Sequence, residues 1–226
     1  MLVTIIIEVT ININEANMSN LTLWGRLNSI NVQKVLWLCE DISLPFHRID
    51  AGMEFGVNKT EEYKSKNPNG LVPTIDDDGF ILWESHSIMR YLARKYDATG
   101  AMYPQSLQDS AKVDQWLDWY NTVGWPPMRN LFWGWIRTPA DKRNLQELET
   151  IRQSFIQIAS MLDEQLGKTA FIAGNHFTMA DIPIALLCYR WFNLPIERPA
   201  MKNLDAWYAK IQSRPGYQKY STAPLT

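Results

Sequence analysis

The hydrophobic pattern of the chain changes near residue 100. Before that point, short apolar runs separate segments of helical periodicity, in the order strand, helix, strand, connection, strand, strand, helix. From Leu107 onward, every periodic segment repeats its apolar residues at intervals of three and four, which is typical of helices. The change of period predicts an α/β domain followed by an all-helical (all-α) domain.

These patterns give domain boundaries. We predict the α/β domain over residues 18–98, a linker over 99–106 and the helical domain over 107–226. Residues 1–17 differ from the rest: their apolar run is too short to span a membrane, and they carry neither a basic region nor a small-residue cleavage site. We expect them to be a dispensable N-terminal extension, with an added edge strand as the alternative. No later segment predicts a membrane span.

Composition excludes several classes of function. The net charge of −2 gives no basic field, so we expect no nucleic-acid partner. The two cysteines, Cys39 and Cys188, lie far apart in apolar helical patterns and form no Cys-x-x-Cys motif. The three histidines lack the spacing of metal ligands. We therefore expect a cytoplasmic protein with reduced, buried thiols and no metal.

A proline interrupts the hairpin predicted between Asn67 and Ser85. Val72–Ile75 and Phe80–Trp83 are predicted strands, and the residues between them end in Asp-Gly, a strong signal for a tight turn. Pro73 lacks the N–H group that a β-ladder requires, so it fits a strand poorly. Its position indicates that the backbone here serves another purpose.

Three motifs, in order and on the predicted elements, resemble the glutathione transferase family. They are W-G-R-L-N-S-I-N-V-Q-K-V (Trp24–Val35), N-P-N-G-L-V-P followed by E-S (Asn67–Pro73 and Glu84-Ser85), and G-N-H-F-T-M-A-D-I (Gly174–Ile182). The bacterial theta-like members are the most similar. The resemblance covers nearly the whole chain and implies a thioredoxin-like βαβ-ββα domain that binds glutathione, followed by an all-helical domain.

The resemblance also implies how glutathione is held. Val72 offers its backbone N–H and C=O to the cysteinyl part, in the manner of strand addition, and Pro73 follows a cis bond. Asn58 and Lys59, in the loop before the hairpin, contact the glycine carboxylate.

The end of the hairpin suits the other end of glutathione. Ser85 stands where a helix begins, as a predicted N-cap, and free N–H groups at a helix start favour an anion. By resemblance, Glu84 and Ser85 bind the γ-glutamyl group. The Thr178-x-x-Asp181 pattern is instead a helix-capping box, so we expect Asp181 to be structural.

Activation of the bound thiol requires a hydrogen-bond donor. Free thiols titrate near pH 8.5, and lowering that pKa by about two units needs about 2.7 kcal/mol. A charge-assisted hydrogen bond, at about 1.5–3 kcal/mol, with a helix N-terminus could supply it. Ser29 occupies the position of the family's hydroxyl donor, and Asn31 is a rival or additional donor. Arg26 and Asn28 are close enough in sequence to contribute.

The electrophile is expected between the two domains. By resemblance, the aromatic-rich stretch from Trp125 to Arg137 is expected to face the bound sulfur. An apolar pocket is predicted from Trp125, Met128, Phe132 and Trp133. Arg129 is placed to hold an anionic group.

These features together predict a function. The resemblance implies a homodimeric detoxification enzyme that uses glutathione as co-substrate against small electrophiles, with dehalogenation of halogenated acids as one reaction. Two alternatives remain: a non-catalytic module that binds glutathione or a partner, and a glutathione-dependent disulfide reductase or peroxidase. In the last case Asn31 would matter more than Ser29.

Overall fold

A four-stranded sheet organises the first half of the chain in the computed structural model, which describes residues 20–222 and 224–226. Its strands are β1 (Leu21–Trp24), β2 (His47–Ile49), β3 (Thr74–Asp77) and β4 (Phe80–Trp83). The order is β2-β1-β3-β4, with β1 parallel to β2 and the other neighbours antiparallel. The predicted extension, residues 1–17, lies outside the described residues.

Three helices complete the α/β half: α1 (Ile30–Asp41), α2 (Glu61–Lys66) and α3 (Ser85–Tyr96). Helices α1 and α3 pack against each other, and their apolar residues join those of β1 and β3 in the core. Two short 3-10 turns, Met53–Phe55 and Val57–Lys59, connect β2 to α2. The hydroxyl of Thr60 caps α2 by accepting the N–H of Tyr63, as its sequence suggests. The order of elements agrees with the predicted βαβ-ββα unit.

The second half is helical in every long element described. Its helices are α4 (Leu107–Trp119), α5 (Trp125–Phe132), α6 (Leu145–Leu166), α7 (Asp181–Asn193), α8 (Lys202–Ile211) and α9 (Pro215–Tyr220). Helix α7 is buried from Asp181 to Trp191 and forms the centre of this half. The predicted fold class, a thioredoxin-like domain followed by an all-helical domain, is therefore confirmed. No helix among the described residues combines the length and apolar character needed to cross a membrane.

Three local predictions need correction. The first hairpin strand starts two residues later than predicted, because the tight turn is Asp78-Gly79, both with positive φ, and Asp77 pairs within the sheet. Pro126 and Pro127, after Trp125, are predicted from the sequence to kink or break the helix, but the structure shows no break there. They occupy the first turn of α5, where a missing N–H costs little, directly after a π-helical turn at Tyr120–Gly124.

The third correction concerns the start of α6. A capping residue followed by proline, Thr138-Pro139, predicts a helix start at this point in the sequence, but only a 3-10 turn follows it, at Ala140–Lys142. The helix begins at Leu145, where the side chain of Asn144 accepts the N–H of Glu147.

Helix α9 returns to the α/β half and packs against α1. The approach is so close that a Cβ atom on Gly216 would lie 2.1 Å from Cδ1 of Trp37. Arg214 donates to the buried carboxylate of Asp41, at 2.8 Å, and Trp37 Nε1 donates to the same carboxylate. The two halves are thus joined along α1.

Candidate active site

Ser29 stands at the N-terminus of α1 with its hydroxyl available. It is the N-cap residue, with extended backbone (φ −86°, ψ 121°), and its carbonyl accepts the N–H of Gln33 at 2.8 Å. Its side chain makes no capping hydrogen bond and no hydrogen bond to any other described residue. The residue is only 8% exposed. A largely buried hydroxyl with no partner can donate to a ligand.

Asn31 lies one residue into the same helix and has half of its amide occupied. Its Oδ1 accepts a hydrogen bond from Lys34 Nζ at 3.0 Å. The amide nitrogen, Nδ2, makes no hydrogen bond within residues 20–222 and 224–226, and the side chain is partly exposed. The first turn of α1 therefore presents two kinds of donor, a hydroxyl and an amide.

Val72 precedes β3 and lies outside the ladder. The Val72–Pro73 peptide bond is cis. Neither the N–H nor the C=O of Val72 bonds to another described residue, whereas the neighbouring Leu71 carbonyl accepts from Tyr63 and Asn67. The same two side chains also bond to the Thr74 hydroxyl, which fixes the loop. A rigid loop thus exposes one free donor and one free acceptor.

The side chain of Arg26 lies close to Val72, with Gly52 next to both. A Cβ on Gly52, which has φ +96°, would lie 3.3 Å from Val72 Cγ2 and 3.5 Å from Arg26 Nε. Arg26 Nη1 donates to Asn28 Oδ1 at 2.7 Å, while its Nε is buried without a partner. Burial, and then the charge of Arg137, lowers the pKa of Arg26. Arg26 therefore brings a cation with a spare donor next to Val72.

Glu84 and Ser85 occupy the junction of β4 and α3. Ser85 was predicted to be the N-cap, but Glu84 holds that position, with a φ of +74°, and Ser85 is the first helical residue. The positive φ turns the chain out of the sheet, so that the carboxylate of Glu84 is exposed while Ser85 is buried. The start of α3 still presents backbone N–H groups beside a carboxylate and a hydroxyl.

Asn58 and Lys59, the two loop residues predicted to contact the glycine carboxylate, differ in their surroundings. Asn58 Nδ2 donates to the Gly70 carbonyl at 2.6 Å, and its Oδ1 is buried without a partner. Lys59 is exposed and makes no hydrogen bond or ion pair with a described residue. Asn58 thus ties the loop to the N-P-N-G segment, whereas the ammonium of Lys59 is free.

Four residues of the aromatic stretch, which we term the aromatic wall, differ widely in exposure: Trp125, Met128, Phe132 and Trp133. Met128 is fully buried, Phe132 is 6% exposed and Trp133 is 55% exposed. Trp125 is partly buried and stacks on the Tyr120 ring, with centroids 6.0 Å apart. The exposure of these side chains therefore increases from the buried Met128 to the exposed Trp133.

Arg129 lies on the exposed side of α5. It falls four residues from both Trp125 and Trp133, which places it one helical turn from each. It makes no hydrogen bond or ion pair within the described part of the chain. The structure therefore leaves its guanidinium in solvent, near the exposed end of the aromatic wall.

Two arginines that the motifs did not single out contact these rings. Arg190, on α7, lies 5.5 Å from the Phe132 ring and 6.0 Å from the Trp125 ring. It donates weakly to Gln33 on α1, its Nε has no partner, and burial lowers its pKa to about 10. Arg137 lies 5.5 Å from the Phe132 ring. Arg190 stands inside the apolar run of α7, and a charged residue in such a run is a sequence signal that could have identified it as a candidate site residue.

The chain's own thiols are not available for chemistry. Cys39 and Cys188 are free and buried, and burial raises the pKa of Cys39 to about 12 and that of Cys188 further. Thiolate character at neutral pH is what makes a cysteine a nucleophile. Within the described residues, no group of three or more His, Cys, Asp or Glu side chains could hold a metal ion. Any thiol chemistry at the open end of α1 must use a bound thiol.

Two family models match the chain. The glutathione S-transferase N-terminal domain matches residues 19–94, and the glutathione S-transferase C-terminal domain matches residues 122–215. Together they cover well over half of the chain.

Individual relatives agree with these matches. The chain is 36% identical over 208 residues to glutathione S-transferase GstB of Escherichia coli strain K12, covering 91% of this chain and 100% of the relative. It is 27% identical to glutathione S-transferase F10 of Arabidopsis thaliana, covering 89% and 96% of the two chains. A solved theta class glutathione S-transferase of Xanthomonas axonopodis pv. citri, with glutathione bound, superposes with a TM-score of 0.87 at 40% identity, covering 92% of this chain and 100% of that one.

Proposed function

The chain belongs to the glutathione S-transferase family and is a transferase, and from this premise we propose that it activates the glutathione thiol as a thiolate for attack on a small electrophile. One observation carries the proposal: the first turn of α1 presents the Ser29 hydroxyl and the Asn31 N–H₂ group without partners among the described residues, while the protein's own cysteines are buried. Ser29 is proposed as the main donor to the sulfur, and Asn31 as the second.

The surrounding residues suit the rest of glutathione. We propose that the free backbone groups of Val72 pair with the cysteinyl unit, as an added strand would. Glu84 takes the ammonium of the γ-glutamyl group and the start of α3, at Ser85, takes its carboxylate. Lys59 supplies a cation for the glycine carboxylate, with Asn58 holding the loop. The Xanthomonas relative with glutathione bound supports this choice of co-substrate.

The electrophile is proposed to lie against the aromatic wall. Trp125, Phe132 and Trp133 form its apolar side, whereas Met128 is fully buried and belongs to the core, and Arg129 at the exposed end holds an anionic group. Small halogenated acids fit this arrangement. The thiolate forms a carbon–sulfur bond as the carbon–halogen bond breaks, and the halide leaves with the bonding electron pair. The thiol proton passes to solvent when the thiolate forms.

We further propose that the protein is a cytoplasmic homodimer. Phe80 and Trp83, on the edge strand β4, are 48% and 36% exposed, and an exposed apolar edge favours pairing with another copy.

A glutathione titration by calorimetry, in two buffers of different ionisation enthalpy, tests the central proposal. We expect binding with proton release at neutral pH, together with glutathione-dependent turnover of halogenated acids or aryl halides. Binding without proton release would favour a non-catalytic module. Disulfide reduction that survives Ser29→Ala would favour a glutathione-dependent disulfide reductase. Absence of binding would overturn the proposal.

A further inference from the structure

Lys34 is a fully buried lysine in the second turn of α1, behind the proposed thiol site. Its side chain has no exposed surface. Its Nζ donates to Asn31 Oδ1 at 3.0 Å and lies 4.0 Å from the centre of the Tyr120 ring. None of the described carboxylates forms an ion pair with it. A buried ammonium that has three donors and only one hydrogen bond is costly, so a purely structural role would be better met by an apolar side chain.

The charges that face Lys34 do not neutralise it. Arg190 on α7 adds a second cation, and the exposed carboxylate of Glu84 gives a weaker, favourable field. Burial, and then the charge of Arg190, lowers the pKa of Lys34 well below its usual value. His86, the other titratable group on this side, is itself affected by Lys34: burial, and then the Lys34 charge, lowers the pKa of the histidine. The pocket around the ammonium therefore lacks an anion.

The hydrogen bond to Asn31 has a directional consequence. The structure places Asn31 Oδ1, the one amide atom that can accept a hydrogen bond, against the donating Nζ of Lys34. The amide N–H₂ group is then the part of Asn31 left without a partner among the described residues, on a side chain that is partly exposed in the first turn of α1. Without Lys34, nothing else in the described residues bonds to this amide and selects between its two orientations.

We propose that Lys34 is a positioning residue for the thiolate: it holds the Asn31 carbonyl oxygen so that the Asn31 N–H₂ group donates to the sulfur beside Ser29. The inference rests on the proposed function and deepens it. The polarised amide is a stronger donor, since hydrogen bonds in a chain reinforce one another. The glutathione thiolate also supplies the negative charge that the pocket around Lys34 lacks.

Lys34→Met tests the inference, because methionine keeps the length and burial and removes the ammonium. The pKa of the bound thiol is read from thiolate ultraviolet absorbance in the complex. We expect that pKa to rise by about one unit and kcat/KM to fall by about tenfold, the equivalent change in free energy. Affinity for S-methylglutathione, which has no thiol proton, should remain within about twofold. The control is Lys210→Met, an exposed lysine over the Phe171 ring.

A double-mutant cycle distinguishes positioning from a separate effect of charge. If Lys34 acts through Asn31, Lys34→Met and Asn31→Ala together raise the thiol pKa no further than the larger single change does. Additive effects, or an unchanged thiol pKa in Lys34→Met, would overturn the inference. If Lys34→Met does not fold, Lys34→Leu gives the same comparison, since it also removes every donor to Asn31 Oδ1. Absence of thiolate in the unmodified protein would instead refute the proposed function.

Discussion

The Tyr91 hydroxyl donates to the carboxylate of Asp77 across 2.6 Å, joining α3 to the last residue of β3. Asp77 is 3% exposed and also accepts from Tyr96 and Lys95, each at 2.7 Å. Burial opposes ionisation of Asp77, but the bonds from Lys95, Tyr91 and Tyr96 outweigh it and lower its pKa. One carboxylate therefore ties the hairpin to the helix that follows it.

Asp77→Asn should destabilise the fold at neutral pH. Hydrogen bonds to a charged group contribute about 1.5–3 kcal/mol, so we expect a loss of about 2 kcal/mol in the free energy of unfolding. Because the folded pKa is lowered, the stabilisation is present above the ordinary aspartate pKa and is lost as pH falls through the folded one. Urea unfolding at neutral pH and below pH 4 measures this. A loss that does not shrink on acidification would contradict it.

The contribution of Asp181 to stability should change with pH in the direction opposite to that of Asp77. It accepts N–H groups from Ile172 and Thr178 and from the Trp207 ring, but burial dominates and raises its pKa to about 6. The unfolded chain loses this proton near pH 4 and the folded chain near pH 6, so this group's stabilising contribution falls as pH rises between them. A rise from 3.8 to about 6 corresponds to about 3 kcal/mol.

Asp181→Asn isolates this contribution. The variant should be less stable than the unmodified protein throughout, because an amide cannot accept all three N–H groups. The difference should be largest below pH 4 and shrink by up to about 3 kcal/mol above pH 6. Urea unfolding across this range measures it. A difference that grows with pH would mean that the three donors outweigh burial.

Ser29→Ala should impair thiol activation more than Asn31→Ala. Removing one charge-assisted donor costs about 1.5–3 kcal/mol, which corresponds to a loss of about 10- to 100-fold in kcat/KM. The thiol pKa in the complex should rise in parallel. Ser154→Ala, on the exposed face of α6, is the matched control. If only Asn31→Ala raises the thiol pKa, the amide is the principal donor and the assignment to Ser29 is wrong.

Arg129→Ala should weaken the binding of acidic electrophiles but not that of neutral ones. We expect KM for a halogenated acid to rise about fivefold or more, and KM for the corresponding amide to stay unchanged, because only the acid loses a charge-assisted contact. Arg137→Ala is the comparison, since Arg137 lies beside the same Phe132 and Trp133 rings. Selectivity that is lost only in Arg137→Ala would transfer the anion-binding role to Arg137.

The sequence predicted the order of elements because apolar periodicity is local. Asp-Gly located the tight turn at residues 78 and 79, yet the strand before it was placed two residues early. The run of aspartates resembles a turn, and the partners that draw Asp77 into the sheet lie more than ten residues later, at Tyr91, Lys95 and Tyr96. No local pattern contains that information.

The candidate site also contains residues that the sequence predicted and residues that it did not. The resemblance of the W-G-R-L-N-S-I-N motif to the glutathione transferase family predicted donors at Ser29 and Asn31, and the structure places both residues at the N-terminus of α1. In the sequence, Lys34 and Arg190 are simply charged residues within apolar helices. Their burial beside aromatic rings depends on Tyr120, Trp125 and Phe132, which lie in another part of the chain. Long-range packing, and not local propensity, decides which charges are buried.

The contact between Gly216 and Trp37 has a consequence for biosynthesis. Helix α1 carries the proposed catalytic donors, but its outer side is covered by α9, which is translated almost 180 residues later. A nascent chain that has completed the sheet therefore still exposes Trp37 and leaves Asp41 without Arg214. The helix that carries the proposed donors should reach its final stability only when the segment around Gly216 has left the ribosome.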